Sequence, residues 1–313
     1  MTVEAYAKVN LTLEVYGKRP DGYHALRSIV QPITLADTLE IELTNDGTIS
    51  SDTGYGEKDL IVKAARSLLS HATGMSRPLC SHATGMSRPL WGCRVHVVKR
   101  IPAGGGLGGG SADAAATLLA LNELWHLKLT PEELAEIGAS VGSDVPALVL
   151  AQYYRCPVLM EGRGEKVSLL PHSSFIIHHS SLVLSNPGVH SSTPEVFAHC
   201  TPRIKGDATF LSREEKESST FSSHTKGDAT FLSRENKCLP LFSNDLQEAA
   251  VALHPEIGEA LSALREVGAE DVMMSGSGAT VFGFAKDADA AEKMSTEMRT
   301  RGYSAWPCRM LMR

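Results

Sequence analysis

Eleven consecutive residues carry the strongest chemical signal in the chain: Pro102, Ala103, Gly104, Gly105, Gly106, Leu107, Gly108, Gly109, Gly110, Ser111 and Ala112. Six glycines fall within seven positions. Glycine adopts positive φ freely and lets a bulky ligand approach the backbone amides. Successive N–H groups leading into a helix N-terminus form a cradle for anions, phosphate above all. The run sits between a strand-like segment, Arg94–Lys99, and an alanine-rich helical pattern, which is not where a mere linker would be placed. Two common phosphate motifs fail in context. Gly104-x-Gly106-x-x-Gly109 has the dinucleotide spacing, but the next suitable acid, Glu123, lies inside the helical pattern and no second strand follows within reach. A Walker loop needs Lys before its Ser or Thr, whereas Gly110 precedes Ser111.

Other residues have chemistry to offer, each with a plainer alternative. Asp144 sits in Gly142-Ser143-Asp144-Val145-Pro146, just after a helical pattern, where it is either a helix cap or a carboxylate able to accept a proton. Lys8 and Asn10 share the polar face of a strand, as solvated edge residues or as a cation and an amide aimed at a ligand. Tyr23 and His24 follow the turn Pro20-Asp21-Gly22, as an exposed hairpin end or as aromatic and hydrogen-bonding contacts for a planar base. Ser275-Gly276-Ser277-Gly278 is a second glycine-rich loop. Six cysteines without a C-x-x-C pair predict no metal site, and suit a reducing cytoplasm.

The elements that must position these residues alternate between strand and helix. Ala5, Ala7, Val9, Leu11, Leu13 and Val15 alternate with Lys8, Asn10, Thr12 and Glu14, the period of a half-buried strand. Strands are predicted near 26–34, 38–43, 94–99 and 280–284, with a last one near 303–312. Helices are predicted over 57–69, Ser111–Trp125, Pro255–Val267 and Ala288–Arg301. Another begins with a capping box at Thr130-Pro131-Glu132-Glu133 and ends near Gly142. Antiparallel hairpins among helices favour α+β over a doubly wound sheet.

The 313 residues suggest two domains, and 42% hydrophobic with 21% charged residues excludes a mainly disordered chain. A net charge of −6 speaks against a nucleic-acid partner or an anionic membrane surface, which need a basic footprint. No stretch approaches the roughly 18 apolar residues of a membrane span. The start, MTVEAYAKVN, lacks a basic segment followed by an apolar one, so no secretory signal is expected. Two identical pairs stand apart. SHATGMSRPL occupies 70–79 and 81–90, and KGDATFLSRE occupies 205–214 and 226–235. Solenoid repeats come as arrays of diverged copies, so these pairs read as tandem duplications in surface loops, where added length costs little.

Three motifs occur in order along the chain: Ala5-Tyr6-Ala7-Lys8-Val9-Asn10-Leu11, the run Pro102–Ala112 with its GLGGGS core, and Ser275-Gly276-Ser277-Gly278-Ala279-Thr280-Val281-Phe282. Together they resemble the GHMP small-molecule kinases, the family of galactokinase, homoserine kinase and mevalonate kinase. Arg19-Pro20-Asp21-Gly22-Tyr23-His24, Gly142-Ser143-Asp144-Val145-Pro146, Glu161-Gly162-Arg163-Gly164-Glu165 and Phe242-Ser243-Asn244-Asp245 are similar to the branch whose acceptor is a cytidyl diphosphate.

The resemblance implies an α+β, two-domain GHMP kinase fold. Residues 1–153 would form a ribosomal-S5-like nucleotide-binding domain, and 154–313 a ferredoxin-like substrate-binding domain whose last strand returns to the first. It implies a cytoplasmic, ATP-dependent kinase, monomer or weak homodimer, acting on the 2-hydroxyl of a small cytidyl diphosphate on the route to isoprenoid precursors. Mg²⁺ would be held mainly by phosphates and water. Another family acceptor, such as homoserine, is the alternative. Asp144 would then be the general base and Lys8 the cation beside it. Pro102–Ala112 would wrap the ATP phosphates. Asn10, Tyr23, His24, Thr193, Phe197, Gly276 and Gly278 would contact the substrate, with His24 and Tyr23 on one side of the cytosine and Phe197 on the other. Ala112 stands where the family often has a second serine, and Asp59 where asparagine is usual.

Overall fold

The computed structural model describes residues 1–74, 91–170, 180–203, 230–232, 238–240 and 242–312. Its contacts divide the chain into two compact units. The first comprises Met1–Val9, Val30–Leu169 and Cys308–Arg313, and the second Asn10–Ile29 and Leu170–Pro307.

In the first unit, β2 (His24–Thr44) pairs antiparallel with β4 (Gly92–Val98), in the register Ile41↔Val95, and β3 (Ile49–Ser51) runs parallel to β4. β5 (Val158–Gly162) and β6 (Lys166–Leu169) form an antiparallel hairpin closed by Glu161↔Lys166. Four helices pack together: α1 (Leu60–Gly74), α2 (Gly109–Leu124), α3 (Pro131–Gly138) and α4 (Val145–Tyr154). α2 lies against α1 and α4, and α4 against α3. The chain's last residues join this unit. Ile33 bridges antiparallel to Met310, and Leu311 N donates to the Pro32 carbonyl at 2.9 Å.

In the second unit, β7 (Ser181–Asn186), β11 (Glu270–Met274), β12 (Val281–Ala285) and β13 (Ser304–Arg309) form a sheet in the order β11-β12-β7-β13. Two helices, α7 (Pro255–Glu266) and α8 (Ala288–Thr300), pack on it. Their apolar faces close a core of Val183, Ile257, Leu261, Leu264, Met274, Val281 and Met298, joined by Leu13 and Val15 of β1 (Thr2–Lys18). α5 (Thr193–His199) and α6 (Gln247–Leu253) lie together, and β10 (Ser243–Asn244) runs parallel to β1 at Thr12↔Ser243. Backbone pairing also joins β8 (Thr230–Leu232) to β9 (Cys238–Pro240).

The architecture is α+β, and several sequence expectations need correction. The strands expected near 26–34 and 38–43 are one strand, β2, continuous through Asp37. Aspartate is poorly suited to strand interiors; here its carboxylate is engaged by two backbone amides and Lys99. The helix expected to end near Gly142 stops at Gly138 and continues as turns. The capping box itself is formed, with Thr130 Oγ1 accepting from Glu133 N and Glu133 accepting from Thr130 N. The duplicated segments lie largely outside the described residues. Residues 70–74 and 230–232 are exceptions, because they are not loop: the first finish α1, extending its buried stripe from Leu68 to Ala72, and the second form a short strand.

Candidate active site

The glycine-rich run is built as a loop entering a helix. Gly104, Gly106 and Gly108 take φ of +66°, +75° and +69°, and α2 starts at Gly109. Gly108 stands at the helix N-cap and offers no side-chain cap, and no acid occupies the first turn. The first amides of a 16-residue helix therefore have neither a carboxylate nor a hydroxyl from the cap position competing for them. The loop is stitched to β1 by Lys8 N donating to the Leu107 carbonyl at 3.1 Å. A Cβ on Gly108 would lie 3.2 Å from Lys8 Cε, so the lysine stem runs directly beneath the cradle. The ends of the loop are tied by an exposed lysine that bridges two buried aspartates. Lys99 Nζ donates to Asp37 Oδ2 at 2.5 Å, before the loop, and to Asp113 Oδ2 at 2.7 Å, one turn into α2.

Lys8 is not the solvated edge lysine of the plainer alternative. Its side chain is 5% exposed, and its Nζ stands 3.6 Å from Asp144 Oδ2. Asp144 occupies the N-cap position of α4 but makes no capping hydrogen bond, so its carboxylate, 33% exposed, is not consumed by the helix. An acid beside a buried ammonium at the edge of an anion cradle can accept a proton from an alcohol, while the ammonium offsets the negative charge that develops.

The remaining predicted residues lie in the second unit. Asn10 is buried and its Nδ2 donates to Ser28 Oγ at 2.7 Å. His24 stacks on Phe197 of α5, with ring centroids 5.5 Å apart and planes 23° apart. Burial, and secondarily the charge of Lys18, hold the His24 imidazole below its ordinary pKa, so the ring is neutral at pH 7. Tyr23 is not part of that stack. It is 56% exposed at the turn that Asp21 closes by accepting from Tyr23 N.

Gly276 and Gly278 take φ of +57° and +87° in a loop closed by Gly278 N donating to the Ser275 carbonyl. Three residues without an assigned role in the sequence reading hold that loop. Asn244 Nδ2 donates to the Met274 and Gly276 carbonyls, both at 2.8 Å, and Ser191 Oγ donates to the Ser277 carbonyl at 2.6 Å. The third is Ser277 itself, whose hydroxyl is 2.7 Å from Thr193 Oγ1. The Asn244-Asp245 pair was visible as a motif, but nothing in its spacing said which loop it would tether.

The two departures from the family pattern have structural settings. Asp59 is buried and caps α1, accepting from Ile61 N at 2.9 Å and from the Ser51 and Thr53 hydroxyls. Ala112 is fully buried in the first turn of α2, where its carbonyl accepts from Gln152. Among the described residues, no helix is long and apolar enough to cross a membrane.

Two family models match the sequence: the GHMP kinases N-terminal domain over residues 59–152 and the GHMP kinases C-terminal domain over 229–304. A 4-diphosphocytidyl-2-C-methyl-D-erythritol kinase of Pelobacter propionicus is 34% identical over 307 residues, covering 95% of this chain and 94% of the relative. The enzyme of the same name from Pelotomaculum thermopropionicum is 36% identical, covering 96% and 94%. Among solved structures, a crystal structure of 4-(cytidine 5'-diphospho)-2C-methyl-D-erythritol kinase matches with a TM-score of 0.72 at 30% identity, covering all of both chains.

Proposed function

The chain belongs to the GHMP kinases, and we propose that it transfers the γ-phosphoryl group of ATP to the 2-hydroxyl of 4-diphosphocytidyl-2-C-methyl-D-erythritol, a step toward isoprenoid precursors. The observation that carries this reading is full-length similarity to kinases of that name, together with a buried lysine 3.6 Å from an uncapped aspartate.

In the reaction the substrate's 2-oxygen bonds to the γ-phosphorus, the bond from that phosphorus to the β–γ bridging oxygen breaks, and ADP leaves. Asp144 orients the hydroxyl and takes its proton. Lys8 fixes Asp144 and offsets the charge on the reacting oxygens. The loop Pro102–Ala112 receives the ATP phosphates on backbone N–H groups of the residues after Pro102. The open N-cap at Gly108 and the three positive-φ glycines suit that task, because the turn needs left-handed backbone that residues with a side chain rarely adopt. Mg²⁺, held by phosphate oxygens and water, would supply positive charge against the transferring group. His24 supplies a neutral ring and hydrogen-bonding edge for cytosine, with Phe197 and Tyr23 as aromatic surfaces. Asn10, Thr193, Gly276 and Gly278 contact the rest of the substrate.

In this reading residues 1–153 serve the nucleotide, apart from Asn10, Tyr23 and His24, which serve the substrate together with 154–313. The protein is a cytoplasmic monomer or weak homodimer with no nucleic-acid partner.

The test is turnover with ATP, Mg²⁺ and the cytidyl substrate, with homoserine as the control acceptor. Preference for homoserine overturns the assignment. Asp144→Asn should retain ATP binding and lose about 10²–10⁴-fold in kcat, the usual worth of a general base. Near-normal turnover would remove Asp144 from the chemistry.

A further inference from the structure

We propose that Gly164, at the tip of the β5–β6 hairpin, is a positioning residue for Asp144. The inference rests on the reading of Asp144 as the general base. The hairpin tip is Gly162-Arg163-Gly164-Glu165, turned by Gly164 N donating to the Glu161 carbonyl at 3.2 Å. Gly164 has φ +113°, a conformation that residues with side chains rarely adopt. It also lies face-on against the turn that carries the aspartate. A Cβ at Gly164 would stand 2.3 Å from the Ser143 carbonyl oxygen, 3.0 Å from the Ser143 carbonyl carbon and 3.3 Å from Ser143 Cβ. Only hydrogen fits in that space, and the neighbour is backbone, which cannot swing aside as a long side chain does.

Ser143 is bonded to Asp144, so displacement of its carbonyl moves the carboxylate. The helix side of the turn is held independently. Val145 N donates to the Gly142 carbonyl at 3.2 Å, and Leu148 N to the Asp144 carbonyl at 3.0 Å. The Asp144 side chain has no capping bond to α4 that would fix its direction. Its position relative to Lys8 is therefore set by the backbone of Gly142–Asp144, gripped between α4 on one side and the glycine tip on the other. Misplacing a reacting group by about 1 Å costs on the order of 10²-fold in rate.

The same hairpin contains its own control. Gly162 also has positive φ, +76°, but the nearest atoms to a Cβ there all belong to the Glu165 carboxylate, at 2.4–2.7 Å, and not to the Ser143 turn. Gly162→Ala also puts a side chain on a positive-φ glycine of this hairpin, at a milder φ, without pressing on the Ser143 turn.

The experiment compares kcat and both KM values for Gly164→Ala, Gly162→Ala, Asp144→Asn and the double variant Gly164→Ala/Asp144→Asn. Gly164→Ala should lower kcat by about 10–10²-fold, with both KM values unchanged and Gly162→Ala within about twofold of wild type. In the Asp144→Asn background Gly164→Ala should have no further effect, because its consequence passes through the missing carboxylate. If Gly164→Ala does not accumulate as folded protein, Gly162–Glu165 is replaced by Asn-Gly. That two-residue turn joins Glu161 to Lys166 and takes away the buttress, and the same loss of kcat is expected. Wild-type kcat in either tip variant, or a loss in Gly164→Ala that persists in full beside Asp144→Asn, overturns the proposal. Near-normal turnover in Asp144→Asn alone would instead refute the base assignment.

Discussion

Asp113→Asn should make the protein more stable relative to wild type as pH rises, and the reason lies in the cluster that ties the glycine loop. Two buried carboxylates, Asp37 and Asp113, share the ammonium of Lys99. Asp37 is the better satisfied, since its Oδ1 also accepts from Arg100 N at 2.5 Å and Ile101 N at 2.8 Å. Asp113 Oδ1 is buried with no hydrogen-bond partner among the described residues. Burial, joined by the negative charge of Asp37 and opposed by Lys99, therefore pushes the Asp113 carboxyl up to about 7 from an ordinary 3.8. A carboxyl raised in the folded state binds its proton more tightly there than in the unfolded chain. Its contribution is fully present below pH 3.8 and declines as pH rises toward 7, at up to about 1.36 kcal/mol per pH unit. From pH 5 to pH 7 the slope amounts to about 2–3 kcal/mol. Asparagine keeps an oxygen for Lys99 and does not titrate. Urea midpoints measured for both proteins at pH 5 and pH 7.5 should therefore diverge by that amount in favour of Asp113→Asn at the higher pH. Other titrating groups, such as Asp46, held down to about 2 by bonds from the Thr48 amide, are common to both chains and cancel in the difference. Parallel midpoints, or a wild type that gains on the variant at pH 7.5, would refute the reasoning.

His24→Ala should raise the KM for the cytidyl substrate while leaving the KM for ATP unchanged. Loss of buried hydrogen bonds is worth about 1–3 kcal/mol, so the expected rise is about 5- to 150-fold, and equal losses for both ligands in steady-state kinetics would mark general damage. Deleting one copy of each duplicated segment, residues 80–90 and 215–235, should leave turnover intact and shift Tm by less than about 4 °C. The first deletion must spare Trp91, which stacks on the buried Trp125 with centroids 5.5 Å apart. A larger drop in a thermal melt would show that a duplicated copy is packed into the core.

Much of the fold was legible where the determining forces are local. The alternation of Ala5 through Val15 gave a strand with that whole row buried, and Thr130-Pro131-Glu132-Glu133 gave a helix start, because a capping box is completed within four residues. The same alternation misled on the other face of β1. Lys8 and Asn10 fall on the strand's polar side, yet both are buried, because period 2 reports which residues share a face and not whether that face meets water. α4 escaped detection for a related reason. Val145-Pro146-Ala147-Leu148-Val149-Leu150-Ala151-Gln152 is buried all round, so it has no polar stripe to mark a helical period.

The candidate site divides along the same line. The glycines of the phosphate cradle were readable because their purpose is a local backbone shape, three positive-φ residues opening a helix. Gly164, Asn244 and Ser191 were present in the same sequence but carried no comparable message, since each acts on a backbone carbonyl at least 21 residues away: Ser143, Gly276 or Ser277. Composition and spacing announce a donor or a missing side chain, whereas the carbonyl it meets is chosen by the packing of the whole unit. Asp144 shows how the two kinds of information combine. Its turn marked it as a cap candidate, and only the absence of a capping bond, with Lys8 close to its carboxylate, separates a residue spent on helix geometry from one left available for proton transfer.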